Sequence, residues 1–356
     1  MSTHHLPSSD VFADLAAFTA LPRLTGLALS ADGMRLVATV QQPDDDRSRY
    51  VSSLWQIPLD DGEPLRLTRS EKGETAPAFL PDGGLLFVSA RPDPDADEDE
   101  PALWLLPPSG EPYPLVRRAG GVSGPVVARD SGAVVFEGAR LTGSTDDNDA
   151  ERRKTRTDRK ITAILHTGMP IRYWDHELGD EAPRLLLLEP GATAASDLAA
   201  DATLELIEGV RSISADGLTV VTTWRPRRSH GRREFGFAVI DVASGKRSIL
   251  MPPDDHEYAG PVLSPDGGRV AVAVEREGAF ETPVAEQLSV LSLGDGEPVT
   301  VSLADLTPTE WVWSADSATL FVAGDLHGRG AIVAVDPTTG EVQSTLAADA
   351  VYSSLC

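Results

Sequence analysis

The side chains of this 356-residue chain that could do chemistry are dispersed. Acyl transfer by a serine needs a hydroxyl, an imidazole and a carboxylate within hydrogen-bond reach, and the serine is commonly presented in a Gly-x-Ser-x-Gly elbow. No such elbow occurs; Gly121-Val122-Ser123-Gly124 has the wrong spacing. The seven histidines are His4, His5, His166, His176, His230, His256 and His327. His166 and His176 are near neighbours in sequence, but Pro170 lies between them and denies a helical metal pair. There is no phosphate-binding glycine loop, no His-Glu-x-x-His, no dinucleotide fingerprint and no cysteine pair. The acidic run Asp93 to Glu100 alternates carboxylates as a calcium loop does, without that loop's central glycine or its terminal bidentate glutamate. No catalytic, cofactor-binding or metal-binding residue is therefore expected.

The aspartates follow a different logic. Asp32, Asp82, Asp130, Asp216, Asp266 and Asp316 each sit in a short turn of the Ser-Pro-Asp-Gly kind, at steps of 50, 48, 86, 50 and 50 residues. Each turn is followed by an apolar run such as MRLVATV, LLFVSA or RVAVAV. Aspartate folds its carboxylate onto nearby backbone N–H groups, and glycine takes a positive φ without a Cβ clash, so these residues are turn builders. A second turn glycine recurs out of phase at Gly62, Gly110, Gly191, Gly245, Gly296 and Gly340. Two landmarks per period of about 50 residues give four short strands per unit, which predicts an all-β propeller of four-stranded antiparallel blades.

The expected division is an N-terminal arm or helix over 1–20, with Asp10 as cap and Val11, Leu15 and Phe18 on one face. Blades follow at about 21–70, 71–118, 119–205, 206–253, 254–304 and 305–348. Residues 349–356 read as the start of a seventh blade, with Ala350 to Ser354 as its first strand. Trp55 and Trp104 fall in third strands and are expected to pack between blades. Blade three carries an insertion at 141–183, polar at first and then basic from Arg152 to Lys160, ending in Arg172-Tyr173-Trp174-Asp175-His176. That last stretch is the candidate substrate or domain contact, against the plainer reading of a surface hairpin whose cations pair within an acidic molecule. A second basic cluster (Arg225, Arg227, Arg228, Arg232, Arg233) reads as a solvated loop in blade four.

A net charge of −24 disfavours nucleic-acid and anionic-membrane binding. No apolar stretch approaches the roughly 20 residues of a membrane span. The N-terminus lacks the pattern of a secretory signal, and the one cysteine, Cys356, suits a reducing compartment. Cytoplasm is the expected location.

Ala20 to Leu24 leading into Leu29-Ser30-Ala31-Asp32-Gly33, together with Arg159-Lys160-Ile161-Thr162 through Arg172-Tyr173-Trp174-Asp175, resembles the propeller domain of the prolyl oligopeptidase family of serine peptidases. The likeness is greatest to the acylaminoacyl-peptidase and dipeptidyl-peptidase branch. The resemblance implies a propeller, usually of seven blades, over an α/β-hydrolase domain that supplies Ser, Asp and His. It implies a peptide substrate reached through that domain, and release of N-terminal residues, blocked amino acids or short peptides. Since no hydrolase domain is present here, no catalytic residue is carried over, the chain reads as truncated, and alone it is expected to be inactive and self-associating. Two rival readings remain open at this stage. One is a stand-alone scaffold that recruits a protein partner. The other is a metal-dependent hydrolase with Glu137, Glu189 and Glu275 converging on the central channel.

Overall fold

A computed structural model describes the chain except residues 1–11, 13, 93–99, 167–170, 173, 176, 203, 207–208, 227–233, 254, 277, 279 and 282. It contains six four-stranded antiparallel sheets, each built from consecutive strands. Blade one is β1 Arg23–Leu29, β2 Leu36–Pro43, β3 Tyr50–Ile57 and β4 Leu65–Arg66. Blade two is β5 Thr75–Phe79, β6 Leu85–Ser89, β7 Ala102–Leu106 and β8 Tyr113–Val116. Blade three is β9 Val122–Val127, β10 Val134–Leu141, β11 Glu181–Leu188 and β12 Ser196–Asp197. Blade four is β13 Arg211–Ile213, β14 Thr219–Trp224, β15 Gly236–Asp241 and β16 Arg247–Leu250. Blade five is β17 His256–Leu263, β18 Arg269–Arg276, β19 Ala285–Ser292 and β20 Val299–Thr300. Blade six is β21 Thr307–Trp313, β22 Leu320–Leu326, β23 Arg329–Val335 and β24 Val342–Ala350.

The first strands of successive blades adjoin one another, which places β1, β5, β9, β13, β17 and β21 innermost. Middle strands are buried on both faces and read as unbroken apolar runs. In β6, Leu85 and Phe87 pack towards blade one while Leu86 and Val88 pack towards blade three. Burying one such side chain contributes about 1.5–3 kcal/mol. Buried clusters join blades one to two, two to three, three to four, four to five and five to six. Among the described residues no buried cluster joins blade six to blade one, and Leu24 and Leu29 of β1 are exposed.

Several local expectations change. The short helix α1, Leu15–Thr19, is capped by Asp14, whose side chain accepts from the Ala16 N–H; Asp10 and Val11 lie outside the described residues. Trp104 packs in the seam between blades one and two, but Trp55 is only half-buried and belongs to no buried cluster among the described residues. A first strand of a seventh blade over 350–354 is not seen. Ala350 still pairs with Gly330 as the end of β24, and 351–356 form no strand. Instead the N–H groups of Ser354 and Leu355 donate to the Glu310 carboxylate at 2.7 and 2.9 Å. That carboxylate offers these donors the partner that a neighbouring strand would otherwise supply.

Candidate functional site

Strand direction sorts the connections onto two rims. The turns between first and second strands, and between third and fourth, lie on one rim; the second-to-third connections and the crossovers between blades lie on the other.

The turn rim is built for rigidity. Asp32 accepts from the Ser30 hydroxyl and from the Met34 N–H at 3.0 Å, and the Ser30 hydroxyl accepts from the Arg35 N–H at 2.9 Å. Asp216, Asp266 and Asp316 repeat this arrangement with Ser214, Ser264 and Ser314. Asp82 accepts from the Gly84 N–H at 2.9 Å. Asp130 departs from the pattern: it pairs with Arg129, and the Ser131 hydroxyl takes the backbone contact, from Ala133. The Ser30 hydroxyl and the Met34 N–H hold the Asp32 carboxyl below its ordinary range, and Ser314 and the Ala318 N–H do so for Asp316. For Asp266, burial pushes upward, but Ser264 and the Gly268 N–H outweigh it. These carboxylates are consumed by turn geometry, since a group holding its charge with local donors is poorly suited to move protons near neutral pH.

The turns also bond to one another. The Asp130 N–H donates to Ala215 O at 2.8 Å, the Ala215 N–H to Pro265 O at 2.8 Å, and the Asp266 N–H to the Ser317 hydroxyl at 3.0 Å. Arg35 Nη1 donates to Gly83 O at 2.8 Å. Arg129 Nη1 reaches Ala315 O at 3.0 Å, so a turn of blade three bonds directly to a turn of blade six, three places away in the ring. A bond of that length across the ring pins this mouth of the central channel.

The opposite rim carries the insertion. Its first half is a helix, α2 Asp149–Asp158, anchored to the blade by ion pairs. Arg153 bonds Asp149 at 2.7 Å and also Glu181, Arg118 and Arg140 hold Asp146, and Arg156 lies 3.2 Å from Asp180. A cleft of about 370 Å³ runs beneath it, lined by Leu141, Arg153, Arg156, Lys160 and Asp180 among others. Of the five candidate contact residues, Arg172 bridges Glu177 in a small antiparallel turn that exposes Trp174 and Asp175. Tyr173 and His176 lie outside the described residues. A larger cleft of about 500 Å³ opens between blades one and two, lined by the crossover at 67–72 with Arg91, Pro92 and Glu111. Residue types alone did not point to it. Three of its lining residues are held by the fully buried Glu74, which accepts from the Thr68 hydroxyl, the Ser70 N–H and Arg91 at 2.9, 2.8 and 2.6 Å.

The three glutamates considered for a metal do not converge. Glu137 bonds Arg211 at 2.6 Å, Glu189 is exposed beyond β11 on the turn rim, and Glu275 stands opposite Glu286 on blade five. Among the described residues no group of three or more His, Cys, Asp or Glu side chains could hold a metal ion. His327 contacts the Asp305 carboxylate at 3.1 Å in an exposed site. Among the described residues no helix is long and apolar enough to cross a membrane.

No known family profile matches the chain. One curated relative, the uncharacterized peptidase YuxL of Bacillus subtilis, is 28% identical over 142 residues, which are 39% of this chain and 20% of that protein. Among solved structures, the acylaminoacyl peptidase of Pyrococcus horikoshii superposes with a TM-score of 0.65 at 12% identity, covering 91% of this chain and 46% of the peptidase. A prolyl endopeptidase superposes at 0.61 with 14% identity, covering 93% of this chain and 43% of its own. The oligogalacturonate lyase of Vibrio parahaemolyticus superposes at 0.57 with 12% identity, covering 91% of this chain and 77% of the lyase. The chain thus spans a fifth of the curated relative and just under half of either peptidase structure. Its six four-stranded blades share the propeller fold with an acylaminoacyl peptidase and a prolyl endopeptidase, and a lyase has it too.

Proposed function

We propose that this chain is the non-catalytic propeller of a serine peptidase, acting as a cover that admits short peptides to an α/β-hydrolase domain in cis and keeps folded proteins out. In this reading the intact enzyme releases N-terminal residues, blocked amino acids or short peptides by acyl transfer through serine with histidine as base, in the cytoplasm and without nucleic-acid or membrane partners. The carrying observation is the asymmetry of the two rims. One mouth is pinned by Arg129 to Ala315, while the other bears the insertion and the cleft beneath it. A cover closed at its far mouth and elaborated at its near one suits gating from the elaborated side.

The purified chain, incubated with chromogenic aminoacyl and peptidyl substrates, is expected to turn over none of them; turnover blocked by a serine-reactive inhibitor overturns the reading. The reading frame downstream of Cys356 supplies the second arm. A Gly-x-Ser-x-Gly elbow there supports the peptidase, whereas a stop codon after one further blade supports a stand-alone scaffold.

A further inference from the structure

The insertion of blade three and the second-to-third connection of blade five emerge on the same rim with opposite character. Residues 150–172 carry seven basic and two acidic side chains, a net +5 that leaves −29 on the rest of the chain. Of these cations, Arg152, Lys154, Arg159 and Lys160 are exposed and make no ion pair among the described residues. The same insertion carries Leu165, 82% exposed, and Trp174, 92% exposed within the Arg172–Glu177 turn. Large apolar side chains presented this fully on an insertion that also exposes cations mark a contact surface in search of an acidic, apolar counterpart.

Blade five supplies that counterpart. Its β18–β19 connection presents Phe280, 104% exposed, and Val284, 70% exposed. Residues 275–286 hold four glutamates against one arginine. Glu275 and Glu286 lie directly opposite each other across the two strands, a like-charge pair that costs stability unless a cation comes between them.

We infer that a second copy of this chain docks here, the basic insertion of one protomer seating its Trp174 and Leu165 against Phe280 and Val284 of the other while its cations meet the Glu275–Glu286 pair. The two elements belong to one chain, so the contact is made twice in a closed pair. Charge match directs the occupant: the chain outside residues 150–172 carries a net −29 despite the basic run at 225–233, and blade five places its glutamates on the same rim, so a second copy offers what the insertion lacks. The contact is independent of the uncovered faces of blades one and six.

Sedimentation velocity on the full chain tests this. A dimer is expected at micromolar concentration, weakening at least tenfold between about 50 and about 500 mM salt as rim charges are screened. The pair Lys154→Glu/Arg159→Glu and the pair Glu275→Lys/Glu281→Lys should each leave monomers, and Trp174→Ala should weaken the dimer at least tenfold. Combining the two charge-reversed sets should restore it. A control, Leu24→Glu on the open face of blade one, should leave the dimer intact. Circular dichroism melts show whether each variant is folded. A monomer at every concentration, a dimer lost only with Leu24→Glu, or failure of folded combined variants to re-associate overturns the inference.

Discussion

Removing the Asp197 carboxylate should cost more stability than any surface substitution in this protein. Arg184 is 2% exposed, the largest fully buried side chain among the described residues, and carries a permanent charge. Its Nε donates to Asp197 at 2.7 Å and Nη2 donates to the same oxygen. Nη1 donates to Ala202 O at 2.6 Å and Nη2 to Ala199 O at 2.9 Å. Asp197→Ala strands a guanidinium with only two neutral acceptors in a nearly dry site, and breaking a buried pair from one side costs about 3–5 kcal/mol. Against a total stability of about 5–15 kcal/mol, that is a third or more in most cases. With a urea slope of about 3 kcal/mol/M, the midpoint should fall by about 1–1.7 M. The double variant Arg184→Leu/Asp197→Ala removes charge and counter-charge together and should lose less than Asp197→Ala alone, with a coupling of at least about 1 kcal/mol in the cycle. Urea titrations followed by tryptophan fluorescence and circular dichroism give all four corners. A loss below about 1 kcal/mol for Asp197→Ala, or additive single variants, refutes the argument that the pair is dry.

Four further outcomes follow from the turns, seams and surface charges. Ser317 occupies with φ 61° the turn position that glycine fills in the other five blades, yet its hydroxyl accepts from the Asp266 N–H; Ser317→Gly relieves about 1–2 kcal/mol of left-handed strain and loses a bond of about 1 kcal/mol, so its melting temperature should stay close to that of the parent. Gly340 has φ 78° and a Cβ there would lie 2.1 Å from Thr300 O, so Gly340→Ala should destabilise by more than about 2 kcal/mol in the same urea assay. Asp201, hydrogen-bonded to Arg247, titrates at about 2 when folded. A lowered carboxyl stabilises above its unfolded pKa near 4 and loses that contribution as pH falls towards 2; since both groups reach solvent the effect is about 1 kcal/mol or less, and Asp201→Asn should flatten the melting-temperature curve in that window. Glu286 runs the other way: burial and Glu275 raise its carboxyl, so Glu286→Gln should raise the melting point at neutral pH and change little once the native group is protonated.

The blades were legible because their signals are local. A Ser-x-Asp-x turn bonds to itself within five residues, so Ser30, Asp32 and Arg35 announce the turn whatever surrounds them. Middle strands buried on both faces announce themselves as continuous apolar runs, as Leu85 to Val88 do. The helix α2 was not legible. Its ten residues, DAERRKTRTD, contain one alanine and no larger apolar side chain, so there is no stripe for periodicity to find. It is held to the blade by Arg153 to Glu181, by Arg156 to Asp180 and by the Leu141 N–H to Asp149, partners that only the fold brings near. The fate of residues 351–356 was hidden for the same reason, since Glu310 lies some 40 positions upstream, as the 44- and 45-residue separations of its two bonds show. The two clefts are likewise products of blade packing and have no residue signature of their own.

The contrast between the rims has a physical origin that bears on function. First-to-second connections of five or six residues leave little slack, and most here spend a carboxylate or hydroxyl on their own backbone while several bond to the next turn as well. Substitution there disturbs a neighbouring blade, as the Ala215 bonds to Asp130 and Pro265 illustrate. The second-to-third connections bear no such obligation. Loop closure grows costly only slowly with length, so 39 residues between β10 and β11 add little entropy penalty over a short hairpin once the ends are fixed by the sheet. Variation in length, charge and exposed apolar content is therefore tolerated on one rim and resisted on the other. That is why the unpaired cations, Trp174 and Phe280 all stand on the rim of long connections, and why a partner or substrate is to be sought there and not at the mouth that Arg129 pins.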